Sequence, residues 1–430
     1  RLRYVANPLT TIILTPLMAA PALAGVVFNH EMLRSSFEHD GKNLFIRIHP
    51  PSVPELNMVD LSEMSPTDIE SSLNLWRRQQ GKIKFALEKY PLWQARLIKL
   101  SENEFKLFIN LHHIIHDGWS SGVLFSELTR NYEAYALGNE PPVSDECDYV
   151  DYAHWLNMVL ESGVREKQFD FWRKQLTELP PPLKLSFQHD LEKHQISHEG
   201  ARCNFLIEPE LTRKMKALAE QNDVTLFILL QVIYQTLLFK YSGQTDILTG
   251  AVSANRRHPL TEKIMGEFIN SITLRSDFSG DPVFTSLLKK MKKTCLEALD
   301  NQDLPFVEIN RELSMLYGRH DAAFQYSLML QNFPWHQKEF GGIKMKYREI
   351  GNGSAKLNIL ATFMEDNGGL EAFFEYNKSL YDTAGMETFV KEFIILCDAV
   401  CRNCNAKISE LTGRTLDEIS NARCVVIGDT

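Results

Sequence analysis

His112-His113-Ile114-Ile115-His116-Asp117-Gly118 is the stretch that decides how this chain is read. Before it, Phe105-Lys106-Leu107-Phe108-Ile109-Asn110-Leu111 alternates with a period of two, the pattern of a strand. After it, Trp119, Val123, Leu124, Leu128, Tyr132 and Tyr135 fall on one face of a helix. Two adjacent histidines therefore stand where a strand ends and a helix begins. Neighbouring side chains on a strand point to opposite faces, so one histidine is expected inside and the other toward an opening. Imidazole is suited to general-base work near neutrality. Asp117, just before Gly118, can cap the helix or clamp an arginine.

A metal reading is the first competitor, because His113 and His116 stand three residues apart. Zinc needs three or four ligands, and this stretch has no Glu in an H-E-x-x-H position and no nearby Cys. No metal is expected here. The order strand, HHxxxDG, helix points to acyl transfer instead.

HHIIHDGWS resembles the signature of condensation domains of nonribosomal peptide synthetases, whose shorter HxxxD core is shared with the chloramphenicol acetyltransferase-like superfamily. Further segments follow in the family's order. Asn29–Phe37 resembles RHExLRTxF, Tyr149–Trp155 resembles YxDYAxW, and Phe171-Trp172 continues it. Met265–Asn270 resembles IGxFVN, Asn301–Phe306 resembles HQDxPFE with Val307 in place of its Glu, and Ser327–Asn332 matches a late strand ending in QN. The opening SxAQxRLW helix has no counterpart, and the stretch after Arg319-His320-Asp321 is blurred.

The resemblance implies an α/β fold: two chloramphenicol acetyltransferase-like α/β sandwich lobes in a V-shaped pseudo-dimer, with the catalytic histidine at the seam. It implies an acyltransferase that forms an amide bond between a donor acyl or peptidyl thioester and an acceptor aminoacyl thioester. No cofactor is permanently bound, since phosphopantetheine arms are delivered by upstream and downstream carrier proteins. His113 is the expected catalytic side chain. Gly118 lets the backbone approach, and an N–H at the helix start can hold a developing oxyanion. By resemblance Asp117 faces away and pairs with Arg34, while His112 is structural. Trp119, Ser120, Asn270 and Gln331 are candidates for the tunnel wall, with packing or capping as the plainer reading. The alternatives are an epimerisation domain, a coenzyme A-dependent acyltransferase of the same fold, or a non-catalytic recruitment module. The intact histidines and the DGWSSGVLFSEL text favour condensation.

Composition agrees. A chain of 430 residues with 44% hydrophobic and 23% charged residues is that of an ordinary globular protein, long enough for two lobes. A net charge of −9 without a basic stripe argues against a nucleic-acid partner. Seven scattered cysteines suggest reduced thiols and a cytoplasmic protein. Cys397-x-x-x-Cys401-x-x-Cys404 has the spacing of a radical-SAM cluster, yet it lies on an amphipathic helix where such spacing simply shares a face. Arg1 and Arg3 followed by apolar residues mimic a secretory signal, but the segment leads straight into Asn29–Phe37 and reads as a helix with Pro21 in its first turn. Thr225–Phe239 is apolar but short for a span, and carries Gln231 and Gln235; it reads as a buried helix closed by Gly243.

Leu179-Pro180-Pro181-Pro182-Leu183 is the expected lobe boundary, since three prolines stop any regular element. That places an N-terminal lobe at 1–180 and a C-terminal lobe at 181–420. Residues 421–430 read as a polar lead, an apolar strand and a turn, the start of a following domain. Adjacent synthetase domains are therefore expected partners, and the excised piece is expected to be monomeric, without membrane contact.

Overall fold

The computed structural model describes residues 5–11, 16–41, 44–53, 55–81, 83–102, 104–143, 147–189, 197–317, 324–331, 339–340, 343–344, 346–350 and 353–413. Residues 421–430 and Arg319-His320-Asp321 lie outside them. The chain groups into two compact units that interleave along the sequence. Unit 1 is residues 1–158, 256–269 and 333–353; unit 2 is 159–255, 270–332 and 354–430.

Unit 1 is built on a sheet in the order Lys346–Ile350, Val5–Thr11, Phe105–His112, Trp93–Lys99, Asn57–Asp60. Only the last pair is parallel, and the helix Pro66–Gln80 makes the crossover between its strands. The histidine-bearing strand is central, between Val5–Thr11 and Trp93–Lys99.

The helices Pro16–Asn29 and Gly118–Ala136 share one apolar core cluster. Ala19, Ala22, Leu23, Val26 and Val27 repeat at helical spacing and are buried, as are Leu124, Phe125, Leu128 and Tyr132. Close approach is enforced at Gly25, where a Cβ would lie 2.7 Å from Asn131 Nδ2. Within the signal-like segment, Pro16–Asn29 is thus a packed helix, whereas Val5–Thr11 is a strand. Pro21 stands inside that helix rather than in its first turn, and it removes one i→i−4 bond.

Unit 2 is built on a mixed sheet in the order Gly200–Ile207, Gly369–Asn377, Ile359–Asp366, Tyr326–Gln331, Asp246–Ser253, Asn270–Asp277. Its central helix, Leu226–Ser242, runs from the Thr225 N-cap to Gly243 at φ +67°. Gln231 and Gln235, one turn apart, both donate to Thr249 Oγ1, and Gln235 also donates to the Leu274 carbonyl at 3.0 Å. These amides bind the helix to its own sheet. Among the described residues no single helix is long and apolar enough to cross a membrane.

The Asn367-Gly368 hairpin forms as its sequence requires, with both residues at positive φ and Asp366 opposite Gly369. Cys397 and Cys401 sit one turn apart on the helix Thr383–Arg402, the first buried; Cys404 follows the helix end. Among the described residues no cluster of His, Cys, Asp and Glu could hold a metal.

Candidate active site

The strand Phe105–His112 gives way to a one-turn helix, His113–Ile115, and then to the long helix from Gly118. His112 closes the strand, buried, and its Nδ1 accepts from the Ile114 N–H at 3.1 Å. It is a local cap. His113 turns the other way and keeps 22% of its side chain exposed. His116 is buried, its Nδ1 3.3 Å from the His112 carbonyl, and burial pushes its pKa down to about 3. Of these three histidines, His113 is the most exposed.

Asp117 caps the long helix. Its Oδ1 accepts from the Ser120 N–H at 2.7 Å, and its Oδ2 accepts from the Phe268 N–H at 3.1 Å. Its charge partner is Arg256, whose Nη2 lies 3.1 and 3.2 Å from the two carboxylate oxygens. Both side chains are sealed, at 0% and 2% exposure. Burial lowers the Arg256 pKa from its ordinary value, against the pull of Asp117. Arg256 also donates to the Ile264 carbonyl at 2.7 Å and stacks 3.9 Å from the Phe268 ring centroid.

The expected Arg34 pairing is therefore corrected. Arg34 donates to the carbonyls of Val27 and Phe28 at the end of the preceding helix, and to that of His49 at 2.8 Å. It lies a few residues past that helix end, within reach of the helix's last carbonyls. The rest of that early motif serves the same junction: His30 and Asn29 both bond Glu127, a buried carboxylate on the long helix.

Ser120 continues the stitching. Its Oγ accepts from the Gly266 N–H at 3.0 Å and lies 2.9 Å from the Gly266 carbonyl. Trp119 is half-buried and donates to the Glu262 carbonyl at 2.8 Å. Both residues hold the 256–269 segment against the helix start. Gly266 itself is required by the Tyr149 ring, since a Cβ there would lie 2.0 Å from Tyr149 Cδ2. The Tyr149 hydroxyl donates to the Glu267 carbonyl at 2.8 Å. Burial, then the Glu267 charge, pushes the Tyr149 pKa up, so it stays a donor at neutral pH.

That segment carries the residue the sequence reading missed. Glu267, in the variable position of the Met265–Asn270 motif, is hydrogen-bonded through a carboxylate oxygen to His113 Nδ1. It is 30% exposed. Its only advance signal is a carboxylate beside the apolar residues Met265, Phe268 and Ile269.

Asn270 and Gln331 belong to unit 2. The Asn270 amide donates to the Gln302 and Leu304 carbonyls at 2.7 Å each and accepts from the Phe306 N–H at 2.9 Å. That is a clamp on the Asn301–Phe306 loop. The loop is held from its other side by Gln168, which bonds Asp303 and Leu304, and by Trp172, which bonds the Asn301 carbonyl. Gln331 ends its strand, half-buried. Gly118 is the exposed first residue of the long helix.

Comparison with known proteins gives this arrangement its family. The description Condensation domain matches residues 17–419. This chain belongs to the condensation domain family. A linear gramicidin synthase of Brevibacillus parabrevis is 36% identical over 383 residues, 88% of this chain and 5% of that protein. Malpinin synthetase of Mortierella alpina is 32% identical over 371 residues, 86% of this chain and 5% of that protein. The condensation domain thus spans a small part of these curated relatives.

Among solved structures, the first condensation domain of the calcium-dependent antibiotic synthetase superposes with a TM-score of 0.81 at 18% identity, covering 95% of this chain and 93% of that one. The X-domain from teicoplanin biosynthesis gives 0.81 at 22% identity, covering 94% and 92%. These likenesses establish the expected α/β, chloramphenicol acetyltransferase-like fold.

Proposed function

We propose that this condensation domain joins a donor acyl or peptidyl thioester to the amine of an acceptor aminoacyl thioester, each held on the phosphopantetheine arm of a carrier protein. The observation that carries this reading is His113: one imidazole of the HHxxxDG turn, part-exposed, at the end of a central strand. Condensation domains form amide bonds, and adjacent synthetase domains and carrier proteins are the partners this activity requires.

The acceptor nitrogen attacks the thioester carbon, the C–S bond breaks, and the nitrogen's proton passes through His113 to the leaving thiolate. Holding both reactants in register lowers the barrier by several kcal/mol. A positioned base contributes about 10²–10⁴-fold. Gly118, exposed at a helix start whose N–H groups have no intrahelical partner, is assigned to the oxyanion.

The test is a reconstituted assay with carrier proteins loaded with octanoyl or L-aminoacyl donors and L-aminoacyl acceptors. An amide product that falls about 10²–10⁴-fold in His113→Ala is expected. Exchange of the α-proton without a new amide bond would replace this reading with epimerisation.

A further inference from the structure

We propose that Glu267 is the positioning residue for His113: its carboxylate holds Nδ1, so that Nε2 is the ring atom that takes the proton of the attacking amine. This rests on the function proposed above and deepens it.

The geometry is specific. Glu267 stands between two backbone positions that are both tied down. On one side the Gly266 N–H donates to Ser120 Oγ; on the other the Phe268 N–H donates to Asp117 Oδ2. The Glu267 carbonyl is held by the Tyr149 hydroxyl. Three anchors within three consecutive residues fix where the carboxylate can reach. Two of those anchors, Ser120 and Asp117, belong to the turn and helix start that carry His113. The acid and the imidazole are thus registered by one cluster, although Glu267 itself lies in the connection between the strands Asp246–Ser253 and Asn270–Asp277.

The chemistry follows from that pairing. A carboxylate accepts only, so the ring nitrogen facing it carries the hydrogen. The other nitrogen is then the basic one, and which nitrogen acts is set by the bond its neighbour makes. As the amine adds to the thioester carbon, its proton moves to Nε2 and the ring becomes an imidazolium. Glu267 balances that charge at Nδ1. The proton then leaves Nε2 for the departing thiolate sulfur, and the ring returns to its starting state. Nothing is oxidised or reduced.

Three neighbours of the pair do not supply this charge: His116, Tyr149 and the Asp117–Arg256 pair. His116 is neutral above pH of about 3, its ring centroid 5.6 Å from that of His113. Tyr149 stays protonated, and Asp117 and Arg256 offset one another.

The experiment uses the whole 430-residue chain. The His113 ring is titrated by heteronuclear NMR in the wild type, Glu267→Gln and Glu267→Asp, with thermal unfolding recorded for each. Condensation rate is measured against pH with the octanoyl and L-aminoacyl carriers named above. An opposite charge beside the ring favours imidazolium, so removing it lowers the His113 pKa, by about one unit or more. The acid limb of the rate profile moves to lower pH with it in Glu267→Gln. The rate falls about 10–100-fold, the size of effect seen when a metal-bound histidine loses its orienting partner. Glu267→Asp, which keeps the charge, recovers part of both.

A folded Glu267→Gln with the wild-type titration and rate overturns the inference while leaving the proposed function standing. If Glu267→Gln does not fold, an Asp variant that behaves like the wild type in neither titration nor rate supports the pairing; one whose titration is unmoved and whose rate falls refutes it. Absence of amide product from the wild type removes the function instead, and the ring titration still decides the pairing.

Discussion

Two carboxylate pairs, one with a guanidinium and one with an imidazole, stand within a few residues of each other in unit 1, and they are built in opposite ways. Asp117 and Arg256 are sealed, and every oxygen of the carboxylate is met by donors. His113 and Glu267 lie open, at 22% and 30% exposure, on the flank of that cluster. Sealing makes a charge pair a matter of folding, because neither ion can be left alone in a dry interior. Openness makes a pair available to substrate and water. We therefore assign the Asp of HHxxxDG to folding in this chain, and the proposed chemistry to the residue four positions earlier.

The sharpest way to break that contrast is Asp117→Ala. It strands Arg256, and a loss of about 3–5 kcal/mol in unfolding free energy is expected by urea titration. Arg34→Ala leaves the pair whole and should cost far less. Equal losses in the two would return Arg34 to the role that the sequence resemblance gave it.

Gly266→Ala probes the join between the pairs. The new methyl collides with the Tyr149 ring and displaces the Glu267 backbone, costing about 1–3 kcal/mol as overpacking does. Its effect on rate should exceed that of the same stability loss placed far from Glu267, such as a cavity in unit 2. Thermal melts and condensation rates on both variants test this.

The third effect is spread over pH. His116 is held neutral in the fold with its pKa pushed down to about 3, from 6.5 when exposed. Between those values the unfolded chain binds the extra proton, so stability rises with pH across this window and is lost as pH falls. Its slope reaches at most about 1.4 kcal/mol per pH unit for one proton. His116→Leu should flatten unfolding free energy over about pH 4–6, measured against the wild type; an unchanged slope would mean that other groups carry it.

Local pattern makes much of this molecule readable. The strand at 105–112, the long helix after it, the buried helix ended by Gly243 and the Asn-Gly hairpin all follow from period and turn chemistry within a dozen residues. Strand alternation predicts opposite facing for His112 and His113, whereas in the structure the strand ends at His112 and His113 opens a one-turn helix. What stays hidden is long-range choice. Arg34 stands alone beside a matched motif while Arg256 is one of an Arg-Arg pair, and only the folded chain shows which arginine reaches a carboxylate 139 residues away. Glu267 stands at a position where the motif tolerates anything. The strand Val5–Thr11 is hard to read because Pro8 interrupts its alternation.

The interleaving of segments has a practical consequence for anyone splicing such genes. A chimera joined at the triple proline takes its HHxxxDG turn from one parent and both Arg256 and Glu267 from the other. Its buried ion pair and its base-orienting acid would then be inherited separately. Crossovers that keep residues 112–120 and 256–269 from a single parent preserve them together, whatever the loop and surface sequences around them.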